Sequence, residues 1–264
     1  MTRRTFVAAM AGAGALGAET MLERGKRVVN DCLDAIGGER YLHMQSRLES
    51  GRAYSFYREN LSGLTLAKIY TRYYGGVHDT AHELAQRERE FFGPKQDYGA
   101  LFTDKEAWDI TYRGARPLPD DTFARYKETT LRDVFYILRV RFREPGMTFE
   151  SRGADVLENS PVEIVDITDA DDLTTTVYFH QTTKVPVKQV FYRRDPKTKD
   201  RNEEVTLYTK YRDLGGGLRW PFAIERHRNG EKIYEIFSES VEVDPVKGTE
   251  DIFELPPSIK RLKP

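Results

Sequence analysis

The chain has 264 residues, of which 39% are apolar, 31% charged and 12% aromatic, with a formal net charge of −1. That composition describes a globular chain with an aromatic-rich core, and the near-balance of charge leaves no electrostatic footprint for nucleic acid. The single cysteine, Cys32, excludes an internal disulfide framework and a cysteine-based zinc site.

The chain begins "MTRRTFVAAMAGAGALGAET", with Arg3 and Arg4 ahead of an Ala/Gly-rich apolar run from Phe6 to Ala18. A basic start, a weak apolar segment and small residues at Ala13, Ala15, Gly17 and Ala18 read as an export signal, and "TRRTF" resembles the bacterial twin-arginine motif. The run falls short of the roughly 20 apolar residues that span a bilayer, and no other stretch is long enough. Residues 1–18 are therefore expected to direct export to the periplasm and be removed. Loss of two arginines and no acids would leave a net charge of −3 on a single soluble domain, residues 19–264. Cys32 lies well beyond the apolar run and lacks a lipobox context, so no lipid anchor is expected.

Leu22, Val28, Val29, Cys32, Leu33 and Ile36 recur at helical spacing, and Gly37-Gly38 ends the run, predicting a helix over 22–36. A short helical turn, "GERYLHMQ", follows. Strand signals then occupy 46–57, 64–74, 86–92, 98–104 and 107–114. Residues 121–143 interrupt them with apolar positions Phe123, Tyr126, Leu131, Val134, Phe135, Leu138 and Phe142 at a three-to-four residue period. Thr130-Leu131-Arg132-Asp133 inside this stretch resembles a capping box, so the stretch reads as one helix or as two shorter ones. Strands resume at 147–157, 161–168, 173–180, 185–195, 202–213, 218–228 and 231–243, with turns at "TDADD", "DPKTKDRN", "LGGG" and "RNGE".

About twelve strands at ~4.8 Å make a sheet nearly 60 Å wide if flat, and each helix covers only about 10 Å. The sheet must curl on itself, leaving a hollow that two or three helices cannot fill. The hairpin "TVYFHQTTKVPVKQVFYRR" (175–194) agrees, because large apolar groups fall on both of its faces. Val177 and Phe179 point one way and Tyr178 and His180 the other, so both faces call for a cover. Phe179 and Phe191 are expected on the concave face, beneath the helices.

The chemical signals are weak. His78 and His82 stand four apart in "HDTAHE", but the segment lacks an identifiable third ligand, and no metal is expected there. "DITDADD" lacks the glycine and distal glutamate of a calcium loop, and Gly215-Gly216-Gly217 reads as a turn rather than a phosphate loop. No nucleophile elbow is present, and no cofactor is implied. The aromatic and apolar strand residues Phe56, Leu66, Phe91, Trp108, Phe179, Phe191, Leu207 and Trp220 are the candidates for an apolar ligand site.

"DAIGGERYLHMQSRLESGRA" (34–53) resembles the helix, Gly-Gly, short helix and first strand that open periplasmic proteins of the lipoprotein-carrier (LolA/LolB-like) superfamily. The last third resembles its closing meander, carried by Tyr208, Tyr211, Arg212, Gly217, Pro221, Phe253 and Pro256. The resemblance implies a mainly β fold: a strongly curved antiparallel sheet forming an unclosed half-barrel, its concave face lidded by helices and binding acyl chains. The expected function is a non-enzymatic exported carrier of lipid or acylated lipoprotein, with a membrane-associated protein as a further partner. The alternatives are a lipid-sensing or structural module with a filled groove, or an enzyme in a cone-shaped barrel using His180, His227 or Glu225.

Overall fold

The structure is a computed structural model that describes residues 19–75, 82–195, 197–245 and 250–263. Residues 1–18, expected to direct export, and His78 lie outside the described residues. Helix α1 (Met21–Ala35) starts on a capping box: the Thr20 side chain accepts from the Glu23 amide at 3.2 Å, and Glu23 accepts from the Thr20 amide at 2.8 Å. Its buried stripe is Val28, Val29, Cys32 and Leu33, whereas Leu22, expected on that stripe, is exposed. Gly37 and Gly38 leave the helix at φ 129° and 52°, and the Gly38 amide returns to the Leu33 carbonyl at 2.9 Å. Helix α2 (Glu39–His43) follows.

Thirteen antiparallel strands then form one sheet: β1 (Ser46–Tyr57), β2 (Asn60–Tyr73), β3 (Gln86–Phe92), β4 (Tyr98–Phe102), β5 (Ala107–Thr111), β6 (Gly114–Pro117), β7 (Thr148–Leu157), β8 (Ser160–Thr168), β9 (Thr174–His180), β10 (Pro186–Arg194), β11 (Arg201–Asp213), β12 (Arg219–Arg228) and β13 (Glu231–Val243). Their order is β6-β5-β4-β3-β2-β1-β13-β12-β11-β10-β9-β8-β7. The last strand pairs with the first, and β6 and β7 remain unpaired to each other. This is an unclosed half-barrel. The strand missed in the sequence is β6, four residues bounded by Gly114 and Pro117.

The break between two helices is present, but its cap is different. Helix α3 (Asp120–Leu131) ends at Arg132, and α4 (Val134–Tyr136) runs into a π-helical turn, Ile137–Arg141. The cap of α4 is Asp133, whose Oδ1 accepts from the amides of Phe135 (3.0 Å) and Tyr136 (3.2 Å). Together these helices form a strap across the hollow. Near one end Tyr126 stacks on Phe102 of β4 with ring centroids 4.0 Å apart. At the other end Arg132 donates to the carbonyls of Tyr192 on β10 and Thr174 on β9, and the Val134 amide donates to Gln189 Oε1 at 2.8 Å.

The main core joins α1, the strap and the concave faces of β7–β9 and β11–β13, with Val29, Cys32, Phe135, Leu138, Val177, Phe179, Tyr208 and Trp220 at its centre. A smaller core lies on the opposite face of β4–β6. There Leu101, Trp108, Ile110 and Ala115 pack under Leu255 and Ile259 of the C-terminal segment. That segment also pairs with edge strand β6: the Ala115 amide donates to Lys260 O and the Leu262 amide to Ala115 O. One sheet edge is thereby covered.

Gly25 shows how closely α1 lies on the sheet. A methyl group there would run into the Phe149 carbonyl of β7. Glycine inside a helix costs about 1 kcal/mol relative to alanine, so on propensity alone Gly25→Ala should stabilise. We expect the opposite, a net loss of roughly 1–3 kcal/mol from overpacking, read from the denaturant midpoint. A stabilised variant would mean that α1 does not rest on β7 at this distance.

Candidate functional site

Between the strap and the concave face of β1–β3 and β11–β13 lies a cavity of about 420 Å³. Its apolar walls are Ile69, Phe92, Phe102, Ile224, Ile233 and Ile236, with Phe135 and Trp220 at the strap side. The remainder of the lining is polar, tyrosines and threonines among a set of charged side chains. Arg47, Glu49, Glu88, Glu90, Asp133, Glu204, Arg226 and Arg228 all reach it, with Arg125 from α3. The apolar groove expected from the sequence is thus a hollow with apolar walls and an ionic interior.

Two of the arginines are fully engaged. Arg47 donates to Glu49 (2.8 Å), Tyr73 Oη (3.2 Å) and Thr71 Oγ1 (3.2 Å), and its guanidinium lies 3.9 Å from the Trp220 ring centroid. Ser238 donates to the other Glu49 oxygen, so this pair is satisfied on both sides. Arg228 donates to Glu204 at 2.8 Å, an acceptor it shares with Arg193. Arg226 differs. Its side chain is exposed into the cavity, 5.6 Å from the Tyr234 ring centroid, and among the described residues no hydrogen bond or ion pair holds its guanidinium. Burial works against its charge, but Tyr234, Asp133, Glu88 and Tyr208 outweigh it and raise its pKa.

Across the hollow, Glu88 and Glu90 stand two apart on β3, so they share one face. Burial raises both pKa values. Glu90 is pushed up to about 8, by desolvation first and by the neighbouring Glu88 second, while Arg226 is the largest influence holding Glu88 down. The pair therefore holds on to a proton near neutral pH, with Glu90 as its carrier. Asp133 is also raised by burial. It accepts from Tyr208 Oη at 3.0 Å besides capping α4, and so fixes the strap to β11.

Of the eight residues singled out in the sequence, Trp220 alone is at this cavity. Phe179 and Phe191 are buried on the concave face as expected, but protein covers them: Phe179 packs in the main core, and Arg132 stacks over Phe191 at 4.5 Å. Phe179 also borders a second cleft of about 310 Å³ between α1, strands β8 and β9 and the turn after β9. Trp108 sits beneath the C-terminal segment. Phe56, Leu66, Phe91 and Leu207 are half-buried or exposed and lie on the other side of the sheet from the cavity, Phe91 in edge contact with Tyr70 and Phe56 beneath the Lys232 ammonium. His82 pairs with Asp171 at 2.7 Å, and no cluster of metal-ligating side chains occurs among the described residues. Cys32 is wholly buried, and its thiol pKa is raised by desolvation.

A wide, unclosed antiparallel sheet with a helical strap over a solvent-reaching hollow defines the LolA-like fold, and solved structures bear this out. A domain assigned to outer-membrane lipoprotein sorting, from Vibrio parahaemolyticus, superposes with a TM-score of 0.58 at 10% identity, covering 88% of this chain and 97% of its own. A DUF1329 family protein from Desulfovibrio piger gives 0.61 at 11% identity over 89% of this chain and 98% of its own. A LolA superfamily protein from Nitrosomonas europaea gives 0.52 at 9% identity over 87% and 97%. At these identities the likeness is one of fold. No family profile and no curated protein matches the sequence.

Proposed function

We propose that the protein is an exported, non-enzymatic carrier or binder of an amphiphile, a lipid or an acylated lipoprotein, held in the hollow beneath the strap. The observation that carries this reading is the 420 Å³ of open space left between strap and sheet. Small-molecule sites occupy roughly 300–1,000 Å³. Apolar walls of the kind formed by Ile69, Phe92, Phe102, Ile224 and Ile236 favour an alkyl chain by about 0.8 kcal/mol per CH₂. The likeness to a lipoprotein-sorting domain and a LolA superfamily protein supports the same reading, as does the signal-like character of residues 1–18. Among the described residues no helix is long and apolar enough to cross a membrane.

The groups an enzyme would draw on lie away from the hollow beneath the strap. The His180 ring accepts from the Thr182 amide in its own turn, and His227 and Glu225 line neither cavity wall, their side chains 3.5 Å apart. A binder therefore accounts for the hollow better than a catalyst does. Native mass spectrometry of protein purified from its host should show a co-purifying lipid. Filling the hollow by Ile69→Trp should weaken an environment-sensitive fatty-acid probe by at least about tenfold, roughly 1.4 kcal/mol, with an unchanged circular dichroism spectrum. A wild-type protein that binds neither lipid nor probe would end the carrier reading.

A further inference from the structure

The ionic interior of the cavity is built from two walls that are distant within the sheet. Four strand steps separate β3 from β12 in the order β3-β2-β1-β13-β12, which is about 19 Å measured along the sheet. The curl brings them face to face, so Arg226 on β12 and the Glu88–Glu90 pair on β3 line one cavity and feel each other's charge. Arg226 lies 5.6 Å from the Tyr234 ring centroid and offers a guanidinium that no hydrogen bond or ion pair holds among the described residues, the side chain best suited to forked hydrogen bonding of a phosphate or carboxylate. Two carboxyls on the facing wall offer the complement. Tyr126, Tyr234 and Phe102 lie around them, aromatic faces that suit an ammonium. Of the other arginines in the lining, Arg47 is committed to Glu49 and Arg228 to Glu204, while Arg125 reaches the cavity from the strap.

We propose that Arg226 and the Glu88–Glu90 pair form a head-group site for a zwitterion, the guanidinium taking an anionic phosphate and the carboxyl pair an ammonium, with the alkyl chain lying along the isoleucine and phenylalanine wall. The proposal rests on the carrier reading for its tail and on the two charged walls for its head. It also accounts for the proton that the carboxyl pair retains near neutral pH: a bound ammonium replaces it, so binding releases a proton to the buffer. The charged and titratable groups around the pair are Arg226, Arg228 and Glu204 with Tyr234 from the opposite wall, Arg125, Asp133 and Tyr126 from the strap, and Arg47 and Glu49 from the floor.

The test is a series of monoacyl probes with one short alkyl chain and four heads: phosphoethanolamine, phosphoglycerol, trimethylammonium and a neutral sugar. Wild-type protein should bind the phosphoethanolamine probe at least about tenfold more tightly than the sugar probe, with proton release revealed by calorimetry in buffers of different ionisation enthalpy. R226Q should remove the gain from phosphate and leave the trimethylammonium probe unaffected. The pair E88Q/E90Q should do the reverse and abolish proton release. R226K, which keeps the charge without the fork, guards against a folding defect, as does the wild-type series, which needs no variant. Equal binding of all four heads overturns the head-group site and leaves the carrier reading standing. If free phosphoethanolamine binds as tightly as its monoacyl form, the head-group site stands and the carrier reading falls. Absence of binding by every probe and by the free head group overturns both.

Discussion

Arg141→Met should cost about 3–5 kcal/mol of stability, the largest single-site loss we expect in this chain. Arg141 is 1% exposed, at the end of the π-helical turn that closes the strap. It donates twice to Glu144 at 2.8 Å, to the Leu131 carbonyl at 2.7 Å and to Asp169 at 3.1 Å. Asp169 in turn accepts from the amides of Asp171 and Leu173, so one guanidinium ties both helices of the strap to the β8–β9 hairpin. Methionine keeps the volume and removes the charge, so the buried Glu144 and Asp169 carboxylates lose the hydrogen bonds and charge of Arg141. The effect should appear as a lower denaturant midpoint with an unchanged slope. A loss below about 1 kcal/mol would mean the ion pairs remain solvated, as surface pairs are.

Asp169 also marks where sequence reading succeeds and where it stops. "DITDADD" was legible as a hairpin tip because aspartates close turns through their own side chains, whereas its tie to Arg141 spans 28 residues and leaves no local trace. The strands were legible for the same local reason. β1, β3 and β13 begin and end where aromatic and β-branched runs meet turn residues, and the half-barrel follows from their number and width. The short β6 was not, because four residues of Gly-Ala-Arg-Pro carry no alternation and owe their place to the C-terminal segment.

The candidate site was hidden for a different reason. Aromatic residues were sought as pocket lining, but an aromatic ring is the side chain that cores bury most profitably, and Phe179, Phe191 and Trp108 went to the core. The residues that reach the open space are those the core rejects. "QREREFF" carried a usable signal. Alternation places Gln86, Glu88, Glu90 and Phe92 on one face and Arg87, Arg89 and Phe91 on the other, so neither face is apolar throughout. In a chain whose sheet must enclose a hollow, a central strand with polar residues on both faces implies that one of them faces the hollow. "AIERHR" repeats the pattern on β12 with Arg226.

Glu90→Gln should remove most of the pH dependence that this strand imposes on the fold. Glu90 has its pKa raised from 4.5 to about 8 by burial and by Glu88, so between those values the folded chain holds a proton that the unfolded chain has released. Stability to unfolding changes with pH as the protons bound by the unfolded state minus those bound by the native state, a negative quantity here, so it falls as pH rises from about 4.5 to 8. Above that range the full cost of holding an ionised carboxylate in the hollow is present. Glutamine keeps the shape and never ionises. The variant should therefore match wild type near pH 5 and exceed it at pH 9 by on the order of 2–3 kcal/mol, part of the 1.36 kcal/mol per pKa unit being returned by cavity water. Glu88 continues to titrate in the variant, now without a like charge beside it, so a smaller slope of the same sign remains. Denaturation midpoints of both proteins across that pH range decide the matter. Parallel curves would place Glu90 in water at its ordinary pKa and remove the carboxyl pair as a receiver of positive charge. Converging curves at low pH would show that the chain carries a destabilising acid in its hollow, a cost that a bound ammonium would offset and an empty structural core would have no reason to keep.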